Sequence, residues 1–223
     1  MELESTATNQ LSFWKFIPTD IFRYILTFIP VENFLILRLL DKMFRKKIPI
    51  NEKMRGTLLS KYLARNGYLE LLKWTRNNGY TWDGETCSSA ADGGHLEVLK
   101  WARANGCPWD VYTSASAAGN GHLEMLKWAR ENGCPWNKQT CSNAAYGGHL
   151  EVLKWLRENE CPWDESTCSG AAWGGHLEVL KWLRENECPW GEETCASAAS
   201  NGKLKILKWT KENGCLCGGK YHK

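Results

Sequence analysis

"GHLEVLKWLRENECPWDESTC", residues 148–168, returns almost unchanged as "GHLEVLKWLRENECPWGEETC", residues 175–195. The two copies differ only at Asp164/Gly191 and Ser166/Glu193. Looser copies begin at Gly67, Gly94, Gly121 and Gly202, so one spacing of 27 residues runs through most of the chain. A fixed period of this length marks a solenoid, whose units cannot bury their own apolar faces and must stack on one another.

The ten residues after each glycine read as a helix. Leu150, Val152, Leu153, Trp155 and Leu156 recur at helical spacing and give a broad apolar stripe, while Glu151, Lys154 and Arg157 stay on the wet side. Asn159 closes this helix, and Cys161-Pro162-Trp163 ends it, because proline cannot continue the pattern. A second, shorter helix follows. Asp83, Asp110, Asn137 and Asp164 stand at its start and are good N-cap residues; Gly191 takes that place in the fifth copy. Ala-Ala pairs near its end, such as Ala144-Ala145 and Ala171-Ala172, leave so little bulk that backbones can approach closely. The unit is helix–turn–helix, with no strand signal.

The tryptophans fall into two sets: Trp74, Trp101, Trp128, Trp155, Trp182 and Trp209 on the first helix, and Trp82, Trp109, Trp136, Trp163 and Trp190 before the second. The expectation is two stacks of rings in the core, the second set stapling the first turn of its helix against Cys87, Ser114, Cys141, Cys168 and Cys195. None of the ten cysteines lies in a Cys-x-x-Cys pair. Tyr80 and Ser114 replace cysteine in individual copies, which points to small buried positions and away from a metal site or bridge. His95, His122, His149 and His176 give way to Tyr68 and Lys203 in the end units, so packing or capping is expected of them and not catalysis.

Twenty-eight basic and 25 acidic side chains are mixed along 223 residues. That balance gives no reason to expect nucleic acid or an acidic membrane as partner. The N-terminus is polar and acidic, unlike a secretory leader. The most apolar stretch, Ile17 to Leu40, is interrupted by Asp20, Arg23, Pro30, Glu32 and Arg38, short of the ~18–20 apolar residues of a span. An intracellular protein is expected. No nucleophile–base–acid set, phosphate-cradling glycine loop or paired catalytic carboxylates can be read, so no enzyme, metal or cofactor is expected.

"AADGGHLEVLKWARANGC", residues 90–107, closely resembles the ankyrin repeat, whose pattern runs "AAxxGHLEIVKLLLENGA". The resemblance covers Gly56 to about Cys215. It implies antiparallel helix pairs in a curved array that recognises proteins. The unit is shorter than the family's common 33 residues, the missing part being the projecting β-hairpin, and "ETCS" or "STCS" replaces the family's "TPLH". An all-α solenoid without long hairpins is therefore expected over 56–215. Its units start near 67, 94, 121, 148, 175 and 202, with a capping helix over 56–66. Recognition shifts from hairpin tips to helix faces. Residues 1–10 and 216–223 read as tails, the first disordered.

Comparison of the copies shows what the architecture leaves free. Positions 85/112/139/166/193, 89/116/143/170/197 and 92/119/146/173/200 vary and lie i, i+4 and i+7 apart, on one face of the second helix. Glu85, Asp92, Tyr112, Gln139, Asn143, Tyr146, Trp173 and Glu193 are the expected target-binding residues, with tyrosine and tryptophan the best anchors.

Ahead of the array, residues 11–50 carry more apolar surface than so few helical turns can bury. "IPTDIFRYILTFIPVENFLILRLLDKMF", residues 17–44, resembles an F-box, "LPxELLxxIFxYLPxxDLLxLRLVCKxW". Ile17 and Pro18 match its opening, Ile21, Ile25 and Ile29 its first ridge, Pro30 its break, and Phe34, Leu37 and Leu40 its second helix. Asp20, Asp41 and Phe44 depart from the pattern. This resemblance implies docking of a Skp-type adaptor of a cullin-RING (SCF) ubiquitin ligase through those nine matched residues, with the array holding a protein target. Short ankyrin units behind an F-box resemble proteins of large DNA viruses. The expected location is the cytoplasm or nucleus, of the host for a virus, and the expected state outside the complex is monomeric. A scaffold or inhibitor with no ligase link is the alternative.

Overall fold

The computed structural model describes residues 52–77 and 79–215, in helices and the turns between them. The helices follow in pairs: α1 (Glu52–Arg65) with α2 (Leu69–Asn77), α3 (Gly84–Asp92) with α4 (Leu96–Ala104), α5 (Val111–Gly119) with α6 (Leu123–Glu131), α7 (Lys138–Gly147) with α8 (Leu150–Glu158), α9 (Glu165–Gly174) with α10 (Leu177–Glu185), and α11 (Glu192–Ser200) with α12 (Leu204–Glu212). Among the described residues there is no strand. The segment expected as a capping helix, 56–66, falls in α1 up to Arg65; α1 starts at Glu52 and pairs with α2 as the other odd-numbered helices pair with their successors.

The odd-numbered helices pack on one another in order, α1 on α3, α3 on α5 and so on to α11, while the even-numbered ones lie farther apart and each pack on their own partner. Closer spacing in one layer than in the other curves the array, with the odd-numbered helices inside. Their sequences explain the spacing. Ala90, Ala91, Ala117, Ala118, Ala144, Ala145, Ala171 and Ala172 are wholly buried, and helices of such small residues can touch almost backbone to backbone. A Cβ at Gly170 would lie 2.6 Å from the Ser142 carbonyl oxygen. The even-numbered helices supply the bulk: Leu72, Leu99, Leu126, Leu153 and Leu180 form the continuous core between the layers.

Each inner helix after the first starts where its cap predicts. Asp83, Asp110, Asn137 and Asp164 accept hydrogen bonds from the amides of Glu85, Tyr112, Gln139 and Ser166 at 2.9–3.1 Å. Gly191 begins α11 with no side-chain cap. At the far end of the outer helices, Asn105, Asn132, Asn159, Asn186 and Asn213 each donate from Nδ2 to the tryptophan carbonyl four residues back, at 2.8 Å.

Two kinds of tight turn recur, and both close with the paired hydrogen bonds that need a left-handed residue. In the inner turn Gly121 donates to Ala118 and His122 to Ala117; in the outer turn Gly106 donates to Arg103 and Cys107 to Ala102. The inner turn keeps glycine in all six copies, and in the first five the next repeat leans on it: a Cβ at Gly121 would lie 2.5 Å from Nδ1 of His149. The outer turn faces open space, with nothing within 4 Å of a Cβ at Gly106 or Gly133. There Glu160 and Glu187 replace glycine at φ of 60° and 63°, so only backbone strain opposes them. Replacing Glu160 by glycine is expected to stabilise the array by about 0.5–1 kcal/mol, the relief of left-handed strain less the added freedom of the unfolded chain. Urea unfolding of the variant beside the parent measures it; an unchanged midpoint would mean no strain is held there.

The tryptophans do not form the two separate stacks expected from sequence. Each turn indole packs edge-to-face on the helix indole of the following repeat: Trp82 on Trp101, Trp109 on Trp128, Trp136 on Trp155, Trp163 on Trp182 and Trp190 on Trp209, at 5.5–6.0 Å between centroids. An arginine of its own repeat lies over the turn ring, as Arg130 does over Trp136 at 4.1 Å. All these rings are half-buried. The resulting arginine–indole–indole unit joins neighbours along the array.

The described cysteines are buried, as small core residues would be. Cys107, Cys134, Cys161, Cys188 and Cys215 donate Sγ–H to the cap carbonyl of the preceding turn at 3.3–3.6 Å. Hydrogen bonding to the facing cysteine, with burial behind it, pushes the thiols of Cys87, Cys141 and Cys168 far above their ordinary range, so they stay protonated. Cys195, equally buried, is disulfide-bonded in place of the free thiol expected there.

Candidate functional site

The exposed face of the inner helices is built by the same repeat that closes the core. On α3, α5, α7, α9 and α11 the residues turned inward are threonine, cysteine and alanine, and the first-turn positions 85, 112, 139, 166 and 193 are exposed. At the opposite ends of α7 and α9, Tyr146 and Trp173 project. Tyr112 is 56 % exposed, Tyr146 53 % and Trp173 46 %, three of only five large apolar side chains so exposed among the described residues. The positions that match Tyr146 and Trp173 in the other repeats hold Asp92, Gly119 and Ser200, and those that match Tyr112 hold Glu85, Gln139, Ser166 and Glu193, so nothing in the repeat's packing calls for these rings.

The expected target-binding residues divide into two groups. Tyr112, Gln139, Tyr146, Trp173 and Glu193 stand exposed. Glu85, though exposed, and Asp92 and Asn143 have partners within the array. Lys61 of α1 binds Glu85 and Asp83, and Arg65 binds Asp92 at 2.6 Å. Asn120 of the next repeat also donates to Asp92, at 3.0 Å. Asn143 is half-buried and its Nδ2 lies 3.4 Å from the Ala115 carbonyl. The whole row 89/116/143/170/197 is half-buried, because the inner helices approach closely enough to enclose it. Variation at Gly170 is thus a fit to a neighbour and not surface freedom. Comparison of copies could not tell a seam position from an open one, since both vary.

Sequence reasoning passed over Lys138, which crosses to Asp164 of the next repeat at 2.7 Å and holds that carboxyl below its ordinary range. It also passed over Glu165 and Glu192, exposed in the first turns of α9 and α11. The signal was present as acids beside a cap residue, but it reads equally as helix-end chemistry. The histidines pack and do not cap: none of His95, His122, His149 and His176 makes a side-chain cap bond. Each ring instead covers the inner-turn glycine of the preceding repeat. Burial pushes the His149 imidazole down and favours the neutral ring, against a backbone hydrogen bond at Gly119 that favours the charged one. Among the described residues no group of histidine, cysteine and acidic side chains could hold a metal ion. The adaptor-binding residues expected at Ile17, Pro18, Ile21, Ile25, Ile29, Pro30, Phe34, Leu37 and Leu40 lie outside the described residues.

Residues 112–157 and 141–184 match the family model for ankyrin repeats in many copies. Among solved structures, the crystal structure of the human ASB11 ankyrin repeat domain is similar. It shares 17 % identity, covers 70 % of this chain and 83 % of that one, and gives a TM-score of 0.53, a likeness of fold. Comparison with curated proteins gives no match. The described residues thus form an all-α solenoid of ankyrin-type repeats.

Proposed function

We propose that this ankyrin-repeat protein works by holding a protein target against the exposed rings of its inner helices. One observation carries the reading: Tyr112, Tyr146 and Trp173 stand in water on a layer whose packing requires only small residues. Exposed aromatic anchors of this kind are what a partner buries. The F-box resemblance of residues 17–44 extends it: the N-terminal module docks a Skp-type adaptor of a cullin-RING ligase, and the array raises the local concentration of its target beside the ubiquitin carrier. Catalysis belongs to the ligase, and the protein acts in the cytoplasm or nucleus. No described helix is long and apolar enough to cross a membrane.

Two measurements test the two halves separately. Proximity labelling in the native cell names the target, and capture of that target is then compared between the parent and Tyr146→Ala plus Trp173→Ala. Expected is a melting temperature within a few degrees of the parent and a clear loss of capture, since the rings rest on no core. A large loss of stability would show that the rings serve packing. For the ligase link, co-purification recovers the adaptor with the parent chain and not with Ile21→Asp plus Ile25→Asp. Failure of the parent to recover any adaptor leaves a scaffold or inhibitor without ubiquitin chemistry.

A further inference from the structure

The charges around the exposed rings point to the kind of segment they hold. On the outer helices the first-turn acids are paired: in five successive repeats a glutamate in the first turn binds the lysine three residues on, at 2.6–2.8 Å. The first turns of α9 and α11 do not balance: Lys61, Arg65 and Lys138 are taken up by acids of the next repeat, and α9 and α11 carry no base of their own. Glu165, Glu192 and Glu193 remain exposed, with no ion pair among the described residues. They stand together at one edge of the array. Glu165 opens α9, Glu192 and Glu193 open α11, and the Glu165 carboxylate reaches the start of α11, where a Cβ at Gly191 would lie 3.0 Å from its Oε2.

Trp173 lies near the other end of α9 from Glu165, about 12 Å away at the rise of a helix. An extended chain spans that in about four residues. Tyr146 occupies the same register on α7, one inner helix along, and the inner helices touch in sequence. We propose that the occupant of this face is an extended basic segment of another protein. An apolar side chain of the segment sits at Tyr146 and Trp173, and lysine or arginine side chains about four residues away lie on Glu165, Glu192 and Glu193. This rests on the reading of the inner face as the target-binding surface and adds the chemistry of the target. The outer face carries exposed acids too, Glu131, Glu158 and Glu185 among them, but among the described residues no exposed aromatic ring stands beside them.

First-turn glutamates also complement the helix dipole, and the test separates that role from binding. A phage-displayed random-peptide library is selected on the full chain. A synthetic selected peptide is then titrated by fluorescence anisotropy, at low and high salt, against the parent, Trp173→Ala, and Glu165→Gln/Glu192→Gln/Glu193→Gln. Expected are peptides with lysine or arginine spaced from an apolar residue. Binding should weaken about tenfold or more in each variant, with the loss in the glutamine variant shrinking at high salt. The proposal is overturned by neutral or acidic selected peptides, by no selected peptide at all, or by a glutamine variant that melts earlier yet binds equally well. Binding that appears only when residues 216–223 are removed would make the chain's own segment the occupant and overturn it too. If Trp173→Ala weakens binding and the glutamine variant does not, the basic character falls while the binding face stands; if neither changes, both fall.

Discussion

Trp155→Ala lowers the stability of the array by about 3 kcal/mol, the lower end for removing a packed indole because this ring is half-buried. The loss is shared between repeats, since Trp155 of α8 meets Trp136 of the preceding turn edge-to-face at 5.7 Å, 73° between planes. Arg130 lies over the Trp136 ring at 4.1 Å, so removing Trp155 uncovers a guanidinium–indole contact in the preceding repeat. A cycle with Trp136→Ala resolves this. In urea unfolding the two single losses should exceed the double loss by about 0.5–1.5 kcal/mol, the coupling of an aromatic pair. Additive losses would mean that the rings merely cover surface, each in its own repeat, and that the leucine column alone joins neighbours.

Gly121→Ala is expected to cost about 2–4 kcal/mol, more than left-handed strain alone, which is ~1–2 kcal/mol. The excess comes from His149, whose Nδ1 lies 2.5 Å from where the new methyl would stand, so the ring must leave its seat on the preceding turn. Two comparisons isolate it. Gly106→Ala has φ of 79° and open space around the methyl, and should show strain alone, ~1–2 kcal/mol. Gly121→Ala made in a His149→Ala background should fall to the same cost. Equal losses for Gly121→Ala with and without the histidine would remove the ring from the account of why this glycine never varies.

The same pair of turns shows how much could be read before any coordinates. The copies displayed glycine in all six inner turns and glutamate in two outer ones, which marks the first as constrained and the second as tolerant. The cause lay across the repeat boundary, in a histidine 28 residues further on. The exposed part of the inner face is legible in part. Tyr112, Tyr146 and Trp173 stand at positions that vary among the copies, and they are exposed. Glu85, Asp92 and Asn143 were singled out by the same rule, yet they are held by Lys61, Arg65 and the Ala115 carbonyl. Variation among copies measures tolerance, and tolerance arises from open water and from matched neighbours alike.

The period of 27, the cap residues, the Cys-Pro-Trp break and the Ala-Ala pairs determined helix pairs stacked in one direction without strands. Those are local choices, set by the hydrogen-bonding and steric limits of each residue on its own backbone. Which tryptophan meets which, which cysteine faces which carbonyl, and which carboxylates are left without a base were decided only by stacking. Each depends on the offset between one repeat and the next. That offset is set by how closely alanine and glycine let the inner helices approach, a distance no single repeat contains.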